Sequence, residues 1–314
     1  MPAQTDIIEQ LPKPSRAAII RLRSLGDCVL LTPAIEILHH ARPDIEIGVV
    51  VEDRFADVFR GSPAVAQVLA PTARAIRGFA PDLCLNFHGG TRGARLTMLS
   101  GAKIRAGFDI FRPAFVYNTP IPTAQEILDV TRRVHTAEHM ASAMFYLGVE
   151  RTWIPRARVP APQGRSPHAP AGSYAVIHPL AATPEKTWPV ASFVEVAGFL
   201  KASRQLEPVF IGGPGEDLSP FQPWRTVAGA PLRDVAQLMR EASAFVGNDS
   251  GPAHIAAAFG LPMVVMFGPS DPEIWAPWRT VGKVLKADGP IANIPVRDVL
   301  RGIERVCSVN EEHR

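Results

Sequence analysis

Ala17-Ala-Ile-Ile-Arg-Leu-Arg-Ser-Leu-Gly-Asp-Cys-Val-Leu-Leu-Thr-Pro-Ala-Ile-Glu-Ile-Leu-His-His40 divides into three parts. Residues 17–23 are an apolar, β-branched run that suits a buried parallel strand. Ser24-Leu-Gly-Asp27 supplies a tight turn, and from Cys28 to His40 the apolar residues Val29, Leu30, Ala34, Ile37 and Leu38 recur at helical spacing. Pro33 falls near the predicted start of that helix, where proline is better tolerated. Strand, turn and helix in this order are the opening unit of an α/β fold.

The same alternation continues outward. Residues 45–51 give a second strand, 54–60 a short helix and 82–87 a third strand, ahead of a glycine turn at Gly89-Gly90. Residues 135–147 carry a helix. From about Trp153 to Gly172 the chain is rich in Pro, Ala and Arg without apolar periodicity, which predicts a linker. A second series follows, with strands at 173–178, 207–211, 244–246 and 263–267 and helices at 190–201, 232–241 and 251–259. Residues 295–309 form a closing helix whose docking site the pattern does not reveal. Alternation of this kind implies parallel sheets covered on both faces. The expected assembly is two Rossmann-like domains, residues 1–160 and 161–314, with a cleft between them. Ligands of such sheets bind beyond the carboxyl ends of the strands, so the turns after Arg23, Phe87, His178, Ile211 and Val246 are expected to face that cleft.

Composition narrows the function classes. Of 314 residues, 46% are apolar and 20% charged, the balance of a globular chain. No apolar run is long enough to span a bilayer and no leader pattern precedes the first strand, so a cytoplasmic protein is expected. Cys28, Cys84 and Cys307 lack metal or redox spacing and read as ordinary thiols. A net charge of +3, without a basic stripe or reading module, argues against a nucleic-acid partner. The charge is unevenly spread. Arg60, Arg74, Arg77, Arg92, Arg95, Lys103, Arg105 and Arg112 face only Asp82 and Asp109 in their stretch, which indicates either an anionic partner or a solvated basic face.

Three turns carry chemistry. Asp27, between a strand and a helix, is either a helix cap or a carboxylate able to take a proton from an incoming hydroxyl. In His178-Pro-Leu-Ala-Ala-Thr-Pro-Glu-Lys-Thr-Trp-Pro189, the loop cation Lys186 is either solvated or offered to a phosphate. Gly247-Asn-Asp-Ser-Gly-Pro-Ala-His254 opens a helix with small residues, leaving amide N–H groups and the positive end of the helix dipole for a diphosphate. There the amides of Ser250 and Gly251 suit phosphates and the Asp249 carboxylate suits sugar hydroxyls. The bland alternative is a capped helix with a core histidine. Ile211-Gly-Gly-Pro-Gly-Glu216 matches neither the P-loop nor the dinucleotide fingerprint, which disfavours a nicotinamide dehydrogenase.

Taken together, four segments resemble the heptosyltransferases of glycosyltransferase family 9. They are Arg21-Leu-Arg-Ser-Leu-Gly-Asp27; Asn86-Phe-His-Gly-Gly-Thr-Arg92 with Ser100-Gly-Ala-Lys-Ile-Arg-Ala-Gly-Phe108; the loop from His178 to Pro189; and Gly247-Asn-Asp-Ser-Gly-Pro-Ala-His-Ile-Ala-Ala-Ala258 running into Phe267-Gly-Pro-Ser-Asp271. The resemblance spans about Ala17 to Trp278 and implies the two-domain GT-B fold. It further implies an inverting transfer of heptose from ADP-heptose, with Asp27 as general base and Lys186 compensating the departing diphosphate. Asp249, Ser250, Gly251 and His254 would hold the donor sugar and phosphates, Glu216 the ribose, and the backbone near Ala230 the base. Arg21 falls where family members commonly carry a lysine. Leu180 and Ala182 depart from the family pattern of a glycine and a hydroxyl residue, so one hydroxyl contact to phosphate is either missing or moved to Thr183 or Thr187, which leaves the donor's identity open.

The chain has no Asp-x-Asp pair and no ligand-spaced cluster, so no metal and no cofactor beyond the nucleotide sugar are expected. The basic segment lies in the half that holds the acceptor in this fold. Arg21, Arg60, Arg92 and Arg105 are therefore the candidate acceptor contacts, for a lipopolysaccharide core or another anionic glycolipid met peripherally at the inner membrane face. A GT-B enzyme with another nucleotide sugar, a sugar-nucleotide epimerase and a non-catalytic sugar-nucleotide-binding module are the alternatives.

Overall fold

The computed structural model describes residues 4–311. The chain divides into two compact units between Pro160 and Ala161. The first holds β1 (Ser15–Ile20), β2 (Ile45–Val50), β3 (Gln67–Leu69), β4 (Leu83–Asn86), β5 (Ile104–Phe108) and β6 (Thr119–Ile121). The second holds β7 (Tyr174–His178), β8 (Glu207–Gly212), β9 (Arg225–Ala228), β10 (Ala244–Asn248), β11 (Met263–Phe267) and β12 (Gly282–Lys286). All pairings are parallel, in the orders β3-β2-β1-β4-β5-β6 and β12-β11-β10-β7-β8-β9. Counted from its own first strand, each sheet has the doubly wound Rossmann order. The connections change direction between β1 and β4 in one sheet and between β7 and β10 in the other, and ligands bind at such switch points.

The central strands are continuous apolar runs because both their faces are covered: β7, β10 and β11 are buried at every residue. In the second unit the core gathers Trp188, Phe193, Phe210 and Phe221, with Phe210 stacked on Phe221 at 4.3 Å between centroids. Burial of each such side chain contributes about 1.5–3 kcal/mol. The last helix, Val296–Glu311, docks on this core through Val299, Ile303 and Val306 and packs against β11, β12 and the Val190–Arg204 helix. All three cysteines are reduced and buried, and burial pushes the thiols of Cys28 and Cys84 up to about 12.

Two local expectations need correction. The first helix begins at Leu25 instead of Cys28, because Ser24 takes the N-cap and brings Asp27 into the first turn. Pro33 consequently sits in the helix interior, where it offers no N–H to the carbonyl of Val29. The Thr32 hydroxyl donates to that carbonyl instead, at 2.8 Å. The segment 153–172 is irregular, as a linker should be, yet it is tied down at both ends. The Arg158 amide donates to Thr32 Oγ1 at 2.9 Å, and Gln237 Nε2 donates to the carbonyls of Gln163 and Gly164 at 3.1 and 2.9 Å.

Candidate active site

Each unit gathers polar side chains at its own switch point. In the first, Asp27 is the third residue of the Leu25–Ala41 helix, and its Oδ2 reaches back to the Ser24 hydroxyl at 3.0 Å and to the Ser24 amide at 3.5 Å. Such a reciprocal arrangement is a capping box. Arg21, from the end of β1, forms an ion pair with the same oxygen. The other oxygen, Oδ1, is buried and accepts no hydrogen bond from the protein. The contacts of this carboxylate to Ser24 and Arg21 thus fall on one oxygen, Oδ2.

Arg21 also donates to the carbonyl of Phe87 in the turn after β4, so one guanidinium links the two turns of the switch point. That second turn is fastened by Asn86, whose Oδ1 accepts from the amides of His88 (2.9 Å) and Gly89 (3.1 Å) while its Nδ2 donates to the Tyr117 hydroxyl at 2.8 Å. His88 is half-buried, and burial, then the cations Arg21 and Arg23, hold its imidazole below the usual range. His139 stacks on Phe108 at 3.9 Å, and burial followed by the Arg21 charge lowers it to about 4.

The other candidate acceptor arginines do not stand free. Arg92 pairs with Glu52 at 2.6 Å, and Arg60 with Asp53 at 2.7 Å and Asp57 at 3.0 Å. All three acids lie just upstream of the basic stretch: Asp53 and Asp57 meet Arg60 locally, whereas Glu52 reaches Arg92 through the fold. Arg92 and Arg60 remain about half exposed (54% each), so their pairings are solvent-screened and add little stability. Burial pushes the Glu52 carboxyl up, but hydrogen bonds from Arg92 and Arg54 outweigh it and leave the group below its usual range. Arg105 directs its guanidinium inward, donating to the Val116 carbonyl at 2.8 Å and the Ala102 carbonyl at 3.5 Å.

In the second unit the loop after β7 and the turn after β10 come together. Lys186 Nζ lies 3.1 Å from Asp249 Oδ2. Ser250 is the N-cap of the Gly251–Ala258 helix, and its hydroxyl contacts His178 Nδ1 at 2.9 Å. The opposite ring nitrogen of His178 is 3.7 Å from Glu216, whose carboxylate also accepts from the Gly213 amide at 2.6 Å. His178, then the Gly213 amide, hold the Glu216 carboxyl below its usual range. His254 is buried on the Ser250-capped helix. Thr183 and Thr187 flank the single turn Pro184–Lys186, and the Thr187 hydroxyl donates to the Thr183 carbonyl at 3.0 Å. Ala230 lies between β9 and the Leu232–Glu241 helix, beside Gly229, whose amide donates to the Gly212 carbonyl at 2.9 Å.

Several supporting residues were not among the expected contacts. Asn248, fully buried at the end of β10, donates to the Pro179 carbonyl at 2.9 Å and accepts from the Trp188 amide at 3.2 Å, so it clasps both ends of the lysine loop. A polar residue ending the apolar run Ala244-Phe-Val-Gly-Asn248 was the available signal. Gly268 after β11 lies against the loop's other side, where a Cβ would stand 2.6 Å from the Glu185 carbonyl oxygen. Among the described residues no group of three or more His, Cys, Asp or Glu is placed to hold a metal ion.

The sequence model of glycosyltransferase family 9 (heptosyltransferase) matches residues 70–289, well over half of the chain. The chain belongs to glycosyltransferase family 9. Lipopolysaccharide heptosyltransferase 3 of Escherichia coli is 27% identical over 318 residues, spanning 88% of this chain and 90% of the relative. The glycosyltransferase family 9 protein of Veillonella parvula superposes with a TM-score of 0.82 at 21% identity, covering 94% of this chain and 97% of that one. The E. coli ADP-heptose lps heptosyltransferase II gives 0.80 at 19%, covering 94% and 99%. These superpositions establish the GT-B fold.

Each cluster, taken within its own unit, has chemistry that a glycosyltransferase can use. A helix amino end with a cation beside it can take a developing diphosphate charge. A carboxylate with one bound and one unbound oxygen can take a proton. No helix among the described residues is long and apolar enough to cross a membrane.

Proposed function

We propose that this glycosyltransferase transfers heptose from ADP-heptose to a lipopolysaccharide core or related anionic glycolipid, with inversion and without a metal ion, as a peripheral enzyme at the inner face of the cytoplasmic membrane. The observation that carries this reading is the Lys186–Asp249 pair beside the Ser250-capped helix. The donor follows that of the E. coli structural relative, an ADP-heptose lps heptosyltransferase, and the acceptor that of the E. coli sequence relative, a lipopolysaccharide heptosyltransferase.

In this reading the residues 161–314 unit binds the donor and the residues 1–160 unit the acceptor. The amides of Ser250 and Gly251 and the Lys186 ammonium take the diphosphate, with the Thr183 and Thr187 hydroxyls at its edge. Asp249 accepts from sugar hydroxyls, His254 supports the helix end, Glu216 faces the ribose, and the backbone at Ala230 meets the base. The acceptor hydroxyl attacks the anomeric carbon from the face opposite ADP. Its oxygen forms the new C–O bond, its proton passes to Asp27, and ADP departs with the electrons of the broken bond. A single displacement inverts the carbon. Arg60 and Arg92 exchange their carboxylates for acceptor phosphates, and Arg21 holds the Asp27 carboxylate in place through their ion pair.

Turnover of a panel of nucleotide sugars with core acceptors of defined truncation, after exhaustive chelation, tests the proposal. ADP-heptose should be the preferred donor, with configuration inverted and activity intact after chelation. Preference for another nucleotide sugar, retention, or activity restored only by added metal would overturn the corresponding part.

A further inference from the structure

We infer that the loop between β5 and β6 is a membrane-docking surface, which seats the first unit on an anionic phospholipid bilayer through Ile110 and Phe115. The inference rests on the proposed glycolipid acceptor for its purpose, but its evidence is separate. Ile110 is 62% exposed and Phe115 74%, although both belong to a loop that is otherwise well anchored. Phe111 packs edge-on against Phe108 at 5.7 Å, Val116 and Tyr117 are buried in a cluster with Ala94, and Arg105 Nε holds the Val116 carbonyl at 2.8 Å. Apolar neighbours of the same loop therefore point inward while Ile110 and Phe115 are held outward, an arrangement that costs solvation unless something covers them.

The charges around them say what covers them. Arg112, between the two in sequence, donates to the carbonyls of Asp109 and Phe111 at 2.6 and 3.0 Å and meets no carboxylate. Arg95 lies on the Gly90–Met98 helix that packs on the loop segment Ala114–Val116, and the Lys103 carbonyl accepts from Asn118 Nδ2 at the loop's far end, at 2.8 Å. Arg95, Lys103 and Arg112 are exposed and take part in no ion pair among the described residues. Arg112 between the two outward apolar side chains, with Arg95 and Lys103 on the segments that adjoin the loop and Asp109 as the loop's single acid, matches the interfacial region of an anionic leaflet. Two side chains are too small a patch for a stable protein interface, which buries on the order of 1,000 Å² or more.

The loop is also joined to the acceptor-side switch point. A Cβ on Gly89 would stand 3.0 Å from the Phe111 ring, and Gly89 belongs to the turn whose Phe87 carbonyl Arg21 holds. Docking through this loop brings the Asp27 turn toward the headgroup layer in which a glycolipid acceptor is anchored.

Co-sedimentation of the full chain with phosphatidylglycerol-containing vesicles, against pure phosphatidylcholine, tests this. Wild type should bind the anionic vesicles and release them as salt rises, and the I110S/F115S double variant should bind about tenfold more weakly. As a second measurement, the emission of Phe115→Trp, taken as the difference from wild type, should move to shorter wavelength on adding anionic vesicles. Turnover of a deacylated, water-soluble acceptor should be the same in the double variant and wild type, whereas turnover of a vesicle-embedded acceptor should fall. Equal vesicle binding by the two proteins, or failure of wild type to bind, overturns the inference. So does a wild-type dimer that the double substitution dissociates without any lipid binding, because a second copy is then the occupant. Vesicle binding as expected with no heptose transfer by either protein overturns the proposed function and leaves the docking surface standing.

Discussion

Lys186 and Asp249, 63 residues apart in sequence, form an ion pair of 3.1 Å at the amino end of the Gly251–Ala258 helix. The aspartate is the more buried partner, with 9% of its side chain exposed against 31% for the lysine. Under the proposed function, a diphosphate at this helix end would compete with Asp249 for the ammonium and free the carboxylate for sugar hydroxyls.

Asp249→Ala should therefore weaken ADP-heptose binding by about tenfold, the scale of one charge-assisted hydrogen bond, and affect ADP alone much less. Calorimetric titration of both ligands reads the difference. Equal losses for the two would remove the sugar contact from Asp249.

For Asp27 the decisive variant is Asp27→Asn, which keeps size and polarity and can still accept from Ser24 through its amide oxygen. Single-turnover rates should fall by about 10²-fold or more while donor affinity stays near wild type. A near-normal rate would leave Asp27 only its contacts to Ser24 and Arg21.

Gly268→Ala places a methyl group 2.6 Å from the Glu185 carbonyl, a backbone atom that cannot swing away. Destabilisation of about 1–3 kcal/mol is expected, with a drop in turnover because Lys186 is the next residue of the displaced loop. Gly198→Ala is the control. It lies inside the Val190–Arg204 helix with nothing within 4 Å of its added Cβ, and it should stabilise by about 0.5–1 kcal/mol. Thermal melts of the two variants should move in opposite directions.

His139 gives the first unit a pH dependence. Its folded value of about 4 lies below the ordinary 6.5, because burial and Arg21 disfavour the imidazolium. The unfolded chain binds the extra proton first, so the contribution is complete above pH 6.5 and is lost as pH falls toward 4, by about 3 kcal/mol in all. His139→Gln should flatten the melting temperature over that window, and an unchanged slope would assign the dependence elsewhere.

The sequence made the central strands legible because they are buried on both faces and read as unbroken apolar runs. Edge and near-edge strands were missed for the opposite reason. Gln67–Leu69 and Thr119–Ile121 are three residues each, and Gly282–Lys286 carries Lys283 and Lys286 with no fully buried residue. The Gly90–Met98 helix was hidden by its arginines. Arg92 and Arg95 registered as charge, whereas Ala94, Leu96 and Thr97 form the buried face. Within the candidate site the turns themselves were readable, since glycine and small residues at strand ends have a local cause. Pairings across the fold were not: nothing local tells that Glu52 reaches Arg92 or that Asn248 clasps a loop some sixty to seventy residues earlier. The shift of Asp27 from cap to first turn was likewise decided by its neighbour Ser24, the better-placed capping residue.

The burial of Cys28, Cys84 and Cys307 has a practical corollary for spectroscopy. A thiol held at about 12, as in Cys28 and Cys84, contributes almost no thiolate at neutral pH, and thiolate is the species that alkylating reagents attack. The native chain is therefore close to silent toward maleimides while folded. One surface cysteine introduced into either unit becomes the dominant labelling position, so a dye or spin probe can report substrate-driven motion without any native sulfur first being replaced.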